Sequence, residues 1–141
     1  MEPLAEGINL DVLETRSFAE LGLDDKVLGK LTLSHGPLAI VDLETTGLAD
    51  DSTSEILEFG VVAIDPGSER ALTAGCLLKP SKSLPRAVAR LTGLKDADLA
   101  ESPVLENVSE YFRTLLLDRV LIAHNAEFER SFLTRFLDER F

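Results

Sequence analysis

The sequence predicts an α/β fold, a mixed sheet with flanking helices, on three observations. The run Leu38-Ala39-Ile40-Val41-Asp42-Leu43-Glu44 is continuously apolar until it ends in acids at a Thr-Thr-Gly turn, which reads as a buried strand. Two more strand-like runs follow it, the second and third joined by a tight turn. Beyond them, apolar residues recur at helical spacing in two separate segments. Consecutive strands joined by tight turns pair antiparallel, so the first three should form a meander. Helices must then cover the sheet.

Each element has its own signal. Residues 1–36 read as an N-terminal helical extension of short acidic pieces, with Asp24 as an N-cap before Val27, Leu28 and Leu31. His35-Gly36-Pro37 punctuates the boundary, and residues 37–141 form the main domain. After the first strand, Ile56 to Ile64 is the second, closed by Asp65-Pro66-Gly67, and Ala71 to Lys79 is the third. Pro85 to Leu91 and Lys95 to Ala100 read as short helices. Ser102-Pro103 is an N-cap and first-turn pair, and the helix behind it places Val104, Val108, Phe112 and Leu115 on one face. Arg119 to Ala123 is a short fourth strand. A last helix starts near Asn125 and buries Phe128, Phe132, Leu133 and Phe136.

Composition narrows the functions. A chain of 141 residues fits one domain, and 45% apolar residues suffice for a core. A net charge of −11 argues against a module that coats duplex nucleic acid by charge alone. It leaves room for an enzyme that reaches nucleic acid through bound divalent metal. The single cysteine, Cys76, excludes an intrachain disulfide and reads as a buried, inert thiol. No stretch reaches the roughly 18 apolar residues of a membrane span, and Met1-Glu2-Pro3-Leu4 does not open a signal peptide. The expectation is a cytoplasmic protein with no membrane contact.

The chemistry concentrates at Asp42 and Glu44. Two residues apart on a strand, their carboxylates point the same way while Leu43 turns to the core. Like charges held side by side favour a compensating cation, and hard oxygen donors suit Mg²⁺ or Mn²⁺. Two such ions can activate water and stabilise the leaving oxygen of a phosphodiester. The alternative is a strand end carrying two solvated acids.

Val41-Asp42-Leu43-Glu44-Thr45-Thr46-Gly47-Leu48 resembles the first motif of the DnaQ-like (DEDD-type, DEDDh) 3′→5′ exonucleases. The resemblance implies a ribonuclease H-like fold and metal-dependent removal of nucleotides from 3′ ends. It makes Asp42 and Glu44 metal ligands and puts Thr45, Thr46, Gly47 and Leu48 beside the terminal nucleotide, with Leu48 under its base. The alternative for Leu48 is a turn residue folded back on the core. Leu91-Thr92-Gly93-Leu94 is similar to the segment flanking the nucleotide pocket, so Leu91 and Leu94 either wall that pocket or pack as helix core.

Ala123-His124-Asn125-Ala126-Glu127-Phe128-Glu129 is similar to the family's second motif, usually H-N-x-x-F-D. Glu129 stands where the family has Asp, and the resemblance implies a third metal ligand there. The alternative is an acid favoured near a helix N-terminus. Asn125 reads as the helix cap, and the family also places it near substrate. His124 is implied to be a structural or substrate-side residue, not the general base. The base and fourth ligand belong to a third motif on a later helix, which residues 137–141 cannot hold. The expectation is therefore an incomplete domain, cut before the last helices and inactive alone.

The expected substrate is the 3′ end of single-stranded DNA or RNA, and the products nucleoside 5′-monophosphates. Lys79, Lys82, Arg86, Arg90 and Lys95 form a run without intervening acids, either a phosphate-holding strip or a solvated face. Residues 17–23 resemble the entry segment of helicase domains and read equally as an ordinary helical extension. A polymerase or helicase partner or fusion is the expected context. A non-catalytic module binding nucleic acid or protein is the alternative.

Overall fold

A computed structural model describes residues 11–141. Its centre is the apolar run, strand β2 (Leu38–Thr45), which pairs antiparallel with β3 (Ile56–Ile64) and parallel with β5 (Val120–Ile122). The third strand of the meander, β4 (Arg70–Leu77), pairs antiparallel with β3. The Asp65-Pro66-Gly67 turn that joins them puts Gly67 at φ 76, a conformation glycine adopts without steric cost. The α/β prediction of an antiparallel meander flanked by helices matches this sheet.

One expectation needs correction. Residues 11–17 are not helical. They form a strand, β1 (Asp11–Ser17), antiparallel to β4, so the sheet runs β1-β4-β3-β2-β5. The stretch that resembled a helicase entry segment closes this strand in a turn, and Phe18 at its head is buried. The helix α1 (Asp25–His35) then starts where expected, with Asp24 Oδ1 accepting from the amides of Lys26 and Val27 at 2.9 and 3.1 Å. Its Leu28 joins Phe18, Leu38, Ile64 and Ala71 in a small core on one face of the sheet.

The larger core lies on the opposite face. Ala39, Val41 and Leu43 point there, with Phe59 and Val61 of β3 and Ala74 and Cys76 of β4. Between β4 and β5 the chain makes α2 (Arg86–Thr92), α3 (Asp96–Leu99) and α4 (Leu105–Leu116), then returns to lie beside β2. The amphipathic α4 buries Val108, Tyr111, Phe112, Leu115 and Leu116. Phe112 stacks on Phe59 at 4.0 Å between ring centroids, which pins helix to sheet. The last helix, α5 (Ala126–Phe136), adds Phe132 and Leu133 to the same core.

One capping expectation fails and a second holds in position but not in its side-chain bond. The N-cap of α4 is Val104, not Ser102, because the Pro103 carbonyl accepts a hydrogen bond from the Lys79 amide instead of starting the helix. Asn125 holds the N-cap position of α5, but its side chain makes no capping bond. Its backbone carbonyl takes the amides of Phe128 and Glu129.

Candidate active site

Strand alternation settles the first question of the site. Val41 and Leu43 are buried against α4 and α5, so Asp42 and Glu44 face the other side together, Asp42 exposed and Glu44 half-buried. Two residues of strand separate their Cα atoms by about 7 Å. Among the described residues neither carboxylate has a hydrogen-bond or ion-pair partner. The hairpin register puts Gly60 opposite Asp42 and Glu58 opposite Glu44. Directly opposed residues share a face, so a further carboxylate, Glu58, stands across from Glu44. Glu58 escaped the sequence reading because only the register reveals it.

Just beyond Glu44 the pairing shifts, with Thr45 opposite Ile56. The extra residue on β3, Leu57, makes a β-bulge, a device that bends strands beside functional sites. It also explains why Ile56 and Leu57 are both buried.

The segment that follows closes on itself. The Thr46 amide donates to the Glu55 carbonyl at 2.9 Å, and the Glu55 amide donates to Thr46 Oγ1 at 2.9 Å. Thr45 Oγ1 donates to the Gly47 carbonyl at 2.7 Å. Gly47 is needed for space, since a Cβ there would stand 2.5 Å from Ser54 Oγ. Inside the loop, Asp51 accepts from the Thr53 hydroxyl and amide at 2.7 and 2.8 Å. Those bonds, helped by the Arg135 charge, hold its carboxyl below the ordinary range. Leu48 is 70% exposed, which rules out the alternative that it folds back on the core.

Leu91 is 86% exposed, so it too is not helix core, whereas Leu94 is half-buried. Gly93 separates them in the left-handed conformation that ends α2, at φ 77. The basic residues from Lys79 to Lys95 are all exposed. Folding adds acids to that segment: Glu55 accepts from the Ser81 amide and hydroxyl, and Asp96 accepts from the Leu84 amide.

His124 and Asn125 are exposed on the turn between β5 and α5. Glu129, in the first turn of α5, is 5% exposed, and its Oε2 is buried with no hydrogen-bond partner. It lines a cavity of about 290 Å³ with Val41, Leu121, Ala123, Arg119 and Arg130. Val41 and Leu121 belong to the α4/α5 face, so Glu129 is not brought together with Asp42 and Glu44 here. Among the described residues no three His, Cys, Asp or Glu side chains converge as a metal site. The donor set nevertheless fits a hard divalent ion. Asp42 and Glu44 offer it two unpartnered carboxylates on one face, whereas the buried Glu129, whose Oε2 has no partner, stands apart from them on the other.

The sequence profile of the exonuclease family, RNase T type, matches residues 39–137. The chain belongs to this exonuclease family. It is 34% identical over 110 residues to the PolC-type DNA polymerase III of Thermotoga maritima, covering 78% of this chain and 8% of that protein. It is 28% identical over 103 residues to the 3′-5′ exonuclease DinG of Staphylococcus haemolyticus, covering 73% of this chain and 11% of that one. The chain thus spans about a tenth of the length of these two relatives. Among solved structures, exonuclease X in complex with 5′-overhanging duplex DNA aligns with a TM-score of 0.54 and 26% identity, over 67% of this chain and 52% of that one. The chain is therefore an exonuclease domain of the DnaQ type, with the ribonuclease H-like sheet such domains share.

Proposed function

We propose that this domain hydrolyses phosphodiester bonds at the 3′ ends of single-stranded DNA or RNA, releasing nucleoside 5′-monophosphates. The observation that carries the reading is the pair Asp42 and Glu44, side by side on one sheet face with no partner among the described residues. They are the proposed ligands of Mg²⁺ or Mn²⁺; Glu129 is proposed as the third, which requires its carboxylate to turn from the α4/α5 side toward them. The bound ion would supply an activated water and charge stabilisation at the leaving oxygen. The chain's own residues do the rest. Asp42 and Glu44 would hold the cation on their shared face of the sheet. Leu48, Leu91 and Leu94 offer apolar surface to the terminal base, and the loop Thr45-Thr46-Gly47 brings backbone close to it. His124 and Asn125 stand at the turn beside α5, on the substrate side.

The DNA-bound exonuclease X and the relatives named for DNA polymerase III support nucleic acid as substrate. A polymerase or helicase as partner or fused neighbour is the proposed context, in the cytoplasm. No described helix is long and apolar enough to cross a membrane.

Electron paramagnetic resonance of Mn²⁺ tests the reading. Binding that disappears in Asp42→Ala is the expected result, and binding indifferent to Asp42 overturns it. Release of nucleoside monophosphates from a labelled oligonucleotide by this chain, lost in Asp42→Ala, would overturn the expectation that it is inactive alone.

A further inference from the structure

Arg135 lies near the C-terminal end of α5, outside every motif in the sequence, yet it reaches across to the loop that follows the Asp42-Glu44 strand. Its guanidinium donates to three carbonyls of that loop. One terminal nitrogen bonds Asp51 O at 3.2 Å and Ser54 O at 3.4 Å, and the other bonds Ala49 O. The flat cation also rests over two aromatic rings, 5.2 Å from the Phe132 centroid and 5.5 Å from that of Phe136. The planar donor fork of arginine suits several acceptors at once, and the rings hold its plane.

We propose that Arg135 is a positioning residue for the nucleotide end of the substrate: it locks the 46–55 loop in the shape that presents Leu48 outward. The loop is sealed at its neck by the reciprocal Thr46–Glu55 bonds. Its far side has few ties of its own: the Asp51 amide to Leu48 O at 3.2 Å, the Ser54 amide to Asp51 O at 3.1 Å, and the Asp51–Thr53 bonds. Carbonyls that converge without a donor repel one another, and the arginine supplies that donor. Phe132 anchors it to the main core, where it is fully buried. The loop is thereby referred to α5, the helix that carries Glu129. One side chain ties the proposed nucleotide contact to the helix of the proposed third ligand.

This inference rests on the proposed 3′-end reading, and the test separates the two. Thymidine 5′-monophosphate is titrated in Mn²⁺ into the unsubstituted chain, Arg135→Ala and Arg135→Lys, followed by NMR. Amide hydrogen exchange is measured over residues 46–55, and Mn²⁺ affinity alone in parallel. If the bare loop holds its competent shape about a tenth of the time, apparent affinity falls about tenfold. The expected result is that loss in Arg135→Ala, with faster exchange confined to the loop and unchanged Mn²⁺ affinity. Arg135→Lys should recover part of both, since an ammonium can serve some of the carbonyls. A role in overall stability alone would shift exchange everywhere and leave nucleotide and metal affinities coupled. Unchanged affinity in Arg135→Ala overturns the inference while the site reading stands. No nucleotide binding by the unsubstituted chain overturns both. Should Arg135→Ala fail to fold, a lysine variant with loop exchange and affinity equal to the unsubstituted protein overturns it as well.

Discussion

Replacing Glu129 by methionine should move stability and metal response in opposite directions. Glu129 Oε2 is buried without a partner, and the cavity around it is walled in part by Val41, Leu121 and Leu133. An unsatisfied buried polar atom costs about 1–3 kcal/mol, whereas an apolar group of similar shape removes that cost. Methionine matches glutamate in length and helix propensity. For a chain of 141 residues the unfolding entropy near Tm is about 0.3 kcal/mol per kelvin, so the gain corresponds to roughly 3–10 °C. Calorimetry in EDTA should show that rise. In Mn²⁺ at about a hundred times Kd, the unsubstituted chain gains about 2.7 kcal/mol by mass action, and the variant should gain less. A variant that melts lower in EDTA and keeps the full Mn²⁺ increment would refute both the orphaned oxygen and the ligand role.

Other expectations are simpler. Gly47→Ala places a methyl against Ser54 Oγ and should cost about 1–3 kcal/mol in urea unfolding. Ser54→Ala in the same chain should restore much of it, and strict additivity in the double-mutant cycle would contradict the contact. Phe112→Ala removes the ring stacked on Phe59 and should cost about 3–5 kcal/mol, with the urea m-value unchanged. Leu48→Ser should alter stability by less than about 0.5 kcal/mol, because the residue is exposed, yet weaken nucleotide binding in NMR titration. Asp51 has a lowered pKa, so its hold on the loop is complete above the ordinary carboxylate range and fades as pH falls through its folded value. Amide exchange over 46–55, corrected for intrinsic rates, should therefore change little from pH 7 to 5 and rise below pH 4.

The meander was legible because β2 is a continuous apolar run ending in acids at a turn and a turn of known chemistry closes the β3–β4 hairpin. The alternation of side chains along any strand placed Asp42 and Glu44 on one face. The strand at 11–17 was missed because an edge strand is defined by its partner, here β4, and the local sequence carries no strong alternation. The shifted start of α4 has a comparable cause, since a distant amide, that of Lys79, claims the Pro103 carbonyl. Within the site, Glu58 and Arg135 became visible only through cross-strand register and a contact between residues more than 80 apart in sequence. The placement of Glu129 on the α4/α5 side likewise depends on helix rotation, which a motif does not encode.

Strand β2 is flanked by β3 on one side and β5 on the other, and a slip of one residue would drive both acids inward and Val41 and Leu43 into water. The height and orientation of the acidic pair are thus tied to the β2–β3 register, since β5 pairs with β2 only at residues 38–40. The adjoining loop hangs from a neck and a single guanidinium, so its shape can be retuned at small energetic cost. Such a division would let preference among terminal nucleotides drift while the proposed ion-holding edge stays put.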